Sequence, residues 1–134
     1  MTHSIESITT AALSAALDSA ALRHAAVASN IANVHTEGYR PLQVAFDTRL
    51  QDAKAALHER DWLDAGMVAA LRGELQPAGP AGEPVSKMHL DLQMAELARN
   101  SVHFQVLTQC ISRHLGILRD ADLHEADLTG IRGL

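Results

Sequence analysis

A single cysteine, Cys110, among 134 residues cannot form an internal disulfide, so the fold is no disulfide scaffold and is indifferent to the redox state of its compartment. Aromatic residues are nearly as scarce: one tryptophan, one tyrosine and two phenylalanines. Alanine and leucine carry most of the apolar content, which suits helices packed at close range better than a β-sandwich core. No apolar run is long enough to span a bilayer, and the opening MTHSIESITT has neither the basic region nor the apolar core of a cleavable signal peptide. Export of such a chain from the cytoplasm requires a dedicated machine. Basic clusters are also missing. With 16 acidic and 11 basic residues the net charge is −5, which argues against nucleic acid as a partner and against direct lipid binding. A hydrophobic content of 47% excludes wholesale disorder.

The chain also lacks the constellations of an enzyme. Its eight histidines, at positions 3, 24, 35, 58, 89, 103, 114 and 124, include no pair at the i, i+4 spacing that puts two metal ligands on one helix face. There is no glycine-rich phosphate loop after a strand and no nucleophile elbow, and Cys110 lies on a mostly apolar helix face where a thiol is ordinarily inert. The acidic residues fall on solvated helix faces without pairing. The expectation is therefore no catalytic residue, no metal and no cofactor.

What is present is helical periodicity at both ends. From about Ser4 to Asn33 no glycine or proline interrupts the chain, and Leu13, Leu17, Ala20, His24, Val27 and Ile31 recur at alternating steps of four and three. Alanines clothe the remainder, so neighbouring backbones can approach closely while little area is buried per residue. From Lys87 to Arg119 a second, stricter stripe runs through Leu90, Met94, Leu97, Ser101, Phe104, Thr108, Ile111, Leu115 and Leu118. A heptad stripe of this kind predicts a long partner helix, which the N-terminal segment supplies. The far side of the same helix carries Leu92, Ala95, Val102, Val106, Cys110 and Ile117, diluted by Arg99 and Arg113. A helix in a small hairpin needs only one apolar face. The second is either covered by the rest of this chain or kept for other chains, with Val102, Val106 and Ile117 at its centre.

The first helix ends in ASNIANVHTEGYR, residues 28–40. Asn30 and Asn33 share a helix face, asparagine tolerates the left-handed conformation that closes a helix, and Gly38 offers positive φ for a turn just before Tyr39. After Pro41 the alternation of Leu42, Val44 and Phe46 predicts a short extended segment docked on a helix.

This string resembles the ASNIANxxTPGYK/R motif near the N-terminus of flagellar rod and hook proteins. Downstream, MAELARNSVHFQVLTQCISRHLGILR resembles the C-terminal helix of the FlgB family of proximal rod proteins, with matches at Met94, Ala95, Glu96, Leu97, Ala98, Asn100, Gln105, Leu107, Gln109, Ser112, Arg113, Leu118 and Arg119. Glu37 stands where that motif has proline, Phe104 where the family has tyrosine, and Met88-His89 where it has Val-Asp. The resemblance implies a structural subunit of the basal-body proximal rod in the periplasm, exported by the flagellar type III apparatus without a cleavable signal peptide. Its partners would be other rod subunits, the export apparatus, the MS-ring region and further copies of itself. A soluble helical adaptor that dimerises through its heptads, or a diverged rod paralogue that no longer assembles, is the alternative.

The expected architecture is mainly α: two long antiparallel helices in a coiled-coil-like hairpin, with an irregular middle and a flexible Pro/Gly linker. Residues 1–40 form the N-terminal helix and turn, 41–86 the variable middle and linker, 87–119 the C-terminal helix and 120–134 a tail. Leu13, Leu17, Val27 and Ile31 are expected to pack against Met94, Leu97, Phe104, Ile111, Leu115 and Leu118. Within the middle, helical spacing recurs over 48–60 and again near Met67–Arg72, Trp62 and Leu63 are expected against the hairpin, and QPAGPAGE from Gln76 is expected to be linker. The tail holds two ADLxx units, too few to stack as a solenoid, and reads as a frayed extension or a short amphipathic helix.

Overall fold

The computed structural model describes residues 2–45, 55, 58–59, 65–79 and 89–132. Helix α1 spans Thr2–Ala32, strand β1 Leu42–Ala45, a short helix α2 Ala65–Ala69, strand β2 Glu74–Pro77, and helix α3 Leu90–Arg132. The two long helices pack together and run antiparallel: Thr10 lies opposite His114, Ala20 opposite Asn100, and Asn30 opposite Gln93. The chain is thus mainly helical, with a short strand pair, as its periodicity predicts.

Each element stops for a local reason. The α1 backbone closes with Asn33 N–H donating to the carbonyls of Ser29 and Asn30, while the Asn33 amide reaches back to the Ser29 carbonyl at 2.8 Å. A turn then follows in which Tyr39 N–H donates to Thr36 O, with Gly38 third in the turn at φ 74°. That is the pattern of a type II turn, whose third position requires positive φ. At the other end, the His89 carbonyl accepts from Gln93 N–H to open α3, and Asp91 in the first turn suits the positive end of the helix dipole.

β1 and β2 pair antiparallel, with Leu42 opposite Pro77 and Ala45 opposite Glu74. Gln76 and Pro77, expected to open the linker, are therefore strand residues. Proline fits because Ala78 N–H donates to Pro41 O, which sets the bonded pairs one residue away and leaves position 77 without need of a donor. The short helix begins at Ala65, earlier than the Met67 expected. Of the expected helix over 48–60, Ala55, His58 and Glu59 are helical. Phe46, Leu50, Ala53, Leu57, Trp62, Leu63, Lys87 and Met88 lie outside the described residues.

The elements of the middle pack on α1. Helix α1 is therefore covered from two sides, and α3 from one. Buried residues follow this division: Ser19, Ala20, Ala26, Val27 and Asn30 on α1, Val68 on α2, and on α3 only Asn100 among the described residues. Among the described residues the buried apolar side chains are Ala20, Ala26, Val27 and Val68. Valine burial contributes roughly 1.5–3 kcal/mol per side chain and alanine less, so polar contacts carry a large share of the specificity here.

Two boundaries differ from expectation. The C-terminal helix does not end at Arg119 but continues without a break to Arg132. Because Thr10 already lies opposite His114, the last turns of α3 run past the start of α1, and every side chain from Arg119 to Gly130 is exposed. The inner seam of α3 is also rotated. Gln93, Glu96, Leu97, Asn100, Ser101, Leu107, Ile111, His114, Gly116 and Leu118 are the buried or half-buried positions, so Leu97, Ser101, Ile111 and Leu118 of the expected stripe face inward, whereas Leu90, Met94, Phe104, Thr108 and Leu115 are exposed. Three polar residues that hydrogen-bond to α1 occupy seam positions that a purely apolar pattern assigns to their neighbours.

Candidate functional site

The ASNIANVHTEGYR segment builds a compact polar knot at the end of the helix pair. Asn30, 3% exposed, is its centre. Its Oδ1 accepts from Leu42 N–H at 2.7 Å and from the Tyr39 hydroxyl at 3.1 Å, and its Nδ2 donates to Leu42 O at 2.9 Å and to Gln93 Oε1 at 3.1 Å. The strand register explains why Leu42 needs this. In an antiparallel pair alternate residues turn both backbone groups away from the partner strand, and the Asn30 amide satisfies the outward donor and acceptor of Leu42 together. Tyr39, having given its proton to Asn30, receives one from Ser29 Oγ at 3.0 Å. Thr36 Oγ1 donates to Asn33 Oδ1 at 3.2 Å. The four turn residues singled out by sequence, Asn30, Asn33, Gly38 and Tyr39, thus lie in one connected turn. Ser29, Thr36 and Gln93 join them. The first two stand within the motif, but nothing local to Gln93 reveals its partner 63 positions away.

Along the interface, Asn100 Nδ2 donates to the Ala20 carbonyl at 2.8 Å, the alanine allowing the approach. The buried Asn100 Oδ1 has no hydrogen-bond partner among the described residues. Near the open end, Thr10 Oγ1 donates to Glu6 O and so must accept from His114 Nε2–H at 3.0 Å. On α1, Val27 is buried and Leu13, Leu17 and Ile31 are half-buried, while His24 is exposed. On α3, Leu97, Ile111 and Leu118 are half-buried, Phe104 lies at the seam's edge, and Met94 and Leu115 are turned half outward.

The outer face of α3 is the other feature of note. Leu92, Val102 and Ile117 are 63%, 62% and 68% exposed, and Val106, Cys110 and Leu128 continue the same line. Scattered exposed leucines are ordinary, but apolar side chains lined along one helix face, here interrupted by Arg99 and Arg113, are of the kind found at interfaces. Among the described residues no three histidine, cysteine, aspartate or glutamate side chains gather where a metal could sit, and no helix is long and apolar enough to cross a membrane. A groove of about 270 Å³ beside Ala12, Ala16, Ser19 and Val68 is floored by alanine methyl groups.

The family model described as flagella basal body rod protein matches residues 11–40, which are most of α1 and the whole polar knot. Over that segment the chain is similar to flagellar basal-body rod proteins, which supports a flagellar rod family assignment. No curated protein matches the chain. That similarity supports a structural role in the flagellar basal body and suggests association with other basal-body components. Two features stand out among the described residues: a helix end locked by Asn30, and a long helix with an exposed outer face.

Proposed function

We propose that this rod family chain is a proximal rod subunit of the FlgB type, packed side by side with its neighbours around the export channel and transmitting torque through helix contacts. The observation that carries the reading is the uncovered apolar line on α3, from Leu92 to Leu128, which a finished monomer would hide. Val102, Val106 and Ile117 are the residues proposed to meet a neighbour. Passage through the flagellar type III apparatus, a periplasmic destination and contact with the MS-ring region belong to this proposal. So does a coiled-coil character for the helix pair.

Two experiments test it. Mass spectrometry of purified hook–basal bodies should find internal peptides of this chain at levels comparable with other rod proteins. Their absence from intact basal bodies, with the protein present in the soluble fraction, would sink the assignment. Val106→Asp should abolish motility while leaving the isolated chain helical, since Val106 is half exposed. Normal swimming by that variant would remove the outer face from the mechanism.

A further inference from the structure

The groove on α1 runs from Ala12 to Arg23, with Val68 on one wall and His103 of α3 on the other. Its floor is alanine, and Arg23 at its end is half-buried and makes no ion pair among the described residues. The acids of α1, Glu6 and Asp18, lie about a third of a turn round the helix from that face, and Glu96 of α3 is paired with Arg99. Arg23 is therefore an uncompensated cation at the end of an apolar groove. The overhang of α3 has the opposite character. Asp120, Asp122, Glu125 and Asp127 stand there with no lysine or arginine between them, and Ala121, Glu125 and Leu128 share one exposed face. From His103 to Leu128 a single unbroken helix rises about 37 Å. The overhang of the same chain thus cannot reach the groove, whereas that of another copy can.

From these observations we propose that the overhang of one copy lies in the α1 groove of the next, with Leu128 over the alanine floor and Glu125 beside Arg23. The inference rests on the rod reading, because it concerns copies set side by side with one polarity. Polarity decides which residues meet. With every copy pointing the same way, the neighbour's α3 runs antiparallel to α1, so the residues before Leu128 on its face lie towards the Arg23 end. Glu125 is the acid found there, one turn before Leu128, and Ala121 a turn further back lets the two helices stay close. Charge and shape are thus matched together: carboxylate to guanidinium, leucine to alanine floor. The contact joins two different surfaces. Each copy offers one overhang and one groove, and an axial step of about 37 Å between copies keeps the series open instead of closing it at two. About three helical turns are too few to hold two free chains together. The contact therefore acts within the assembly.

The test uses the full chain in purified basal bodies. In a Cys110→Ser background carrying both Ala16→Cys and Leu128→Cys, mild oxidation should give a ladder of dimers, trimers and longer species on non-reducing gels. Chains with either new cysteine alone should give none. In an otherwise native chain, Arg23→Glu should lower incorporation into basal bodies about twofold to fivefold, the range of one exposed ion pair, and adding Glu125→Arg should restore it. A structural role of Arg23 within its own chain would not be rescued in this way, since the two residues of one chain are too far apart to meet. An incorporated double-cysteine chain that gives no ladder, or stops at dimers, overturns the proposal, and so does a charge exchange that fails to rescue. Protection of Ala16→Cys from a maleimide in the isolated chain also overturns it, because the groove would then be filled by its own chain. Should the cysteine pair prevent incorporation, the charge exchange decides. Wild-type chain present in basal bodies without linkage of positions 16 and 128 leaves the rod role standing and removes this contact alone, whereas its absence from them removes both.

Discussion

Asn30 shows how much one side chain can hold when its amide matches a backbone. Both faces of the Asn30 amide are used, and truncation to alanine would leave the outward N–H and C=O of Leu42 without partners in a half-buried place. Each orphaned group costs about 1–3 kcal/mol, so Asn30→Ala should lower the unfolding free energy by about 2–4 kcal/mol in urea titration. Tyr39→Phe, which removes one hydroxyl between Ser29 and Asn30, should cost only about 0.5–1.5 kcal/mol. Glu37 is the converse case. It occupies the second position of the Thr36–Tyr39 turn, where proline is preformed for the required φ, and the resemblance to the rod motif points to proline there. Glu37→Pro should therefore stabilise the chain by about 0.4–1 kcal/mol through the unfolded state, read as a small rise in Tm. A fall would show that the turn is not of this type. These residues were legible in the sequence because the demands they meet are local: a helix stop, a positive φ, a redirected backbone.

At the scale of elements, legibility declines with separation along the chain. The two helices announce themselves by period, and the strand Leu42–Ala45 by alternation. Which side of α3 faces α1 does not, because Gln93, Asn100 and His114 reach the seam through partners 63 to 104 positions away. An apolar pattern favours Met94, Ser101 and Leu115, their immediate neighbours, and so turns the helix by one position. The strand from Glu74 was equally hidden, since a segment holding Pro77 and Gly79 reads as a linker until β1 is known to need a partner. Asn100 sharpens the point. Its Nδ2 meets a carbonyl while its Oδ1 is already unpartnered, so the pocket accepts a donor and offers nothing to an anion. A polar residue at one seam position fixes register at some expense of stability. Asn100→Asp would bury a charge against the Ala20 carbonyl and should destabilise the helix pair by about 3 kcal/mol or more, with the midpoint recovering at acid pH as the carboxyl protonates. An unchanged midpoint at neutral pH would mean that the seam is looser than its geometry implies.

For the whole molecule, asymmetry of burial is the organising fact. Helix α1 is packed on two sides, α3 on one, and every residue from Arg119 to Gly130 is exposed. Such a molecule separates its stability from its assembly. Residues between Leu97 and Leu118 hold the helix pair together, and those from Leu92 to Leu128 on the other side have no bearing on whether it folds. Removal of residues 121–134 should accordingly leave the unfolding free energy within about 0.5 kcal/mol, the usual range for changes at exposed sites. Leu97→Asp should behave oppositely and unfold the pair, because it charges a half-buried seam position. Hydrogen exchange would draw the same line: in the monomer, amides of the overhang should exchange fastest and those around Ala20 and Asn100 slowest, since exposed helix turns open without disturbing the rest. If truncation instead removed several kcal/mol, the overhang would have to fold back on its own chain, and the division between a seam that folds and a face that assembles would fail.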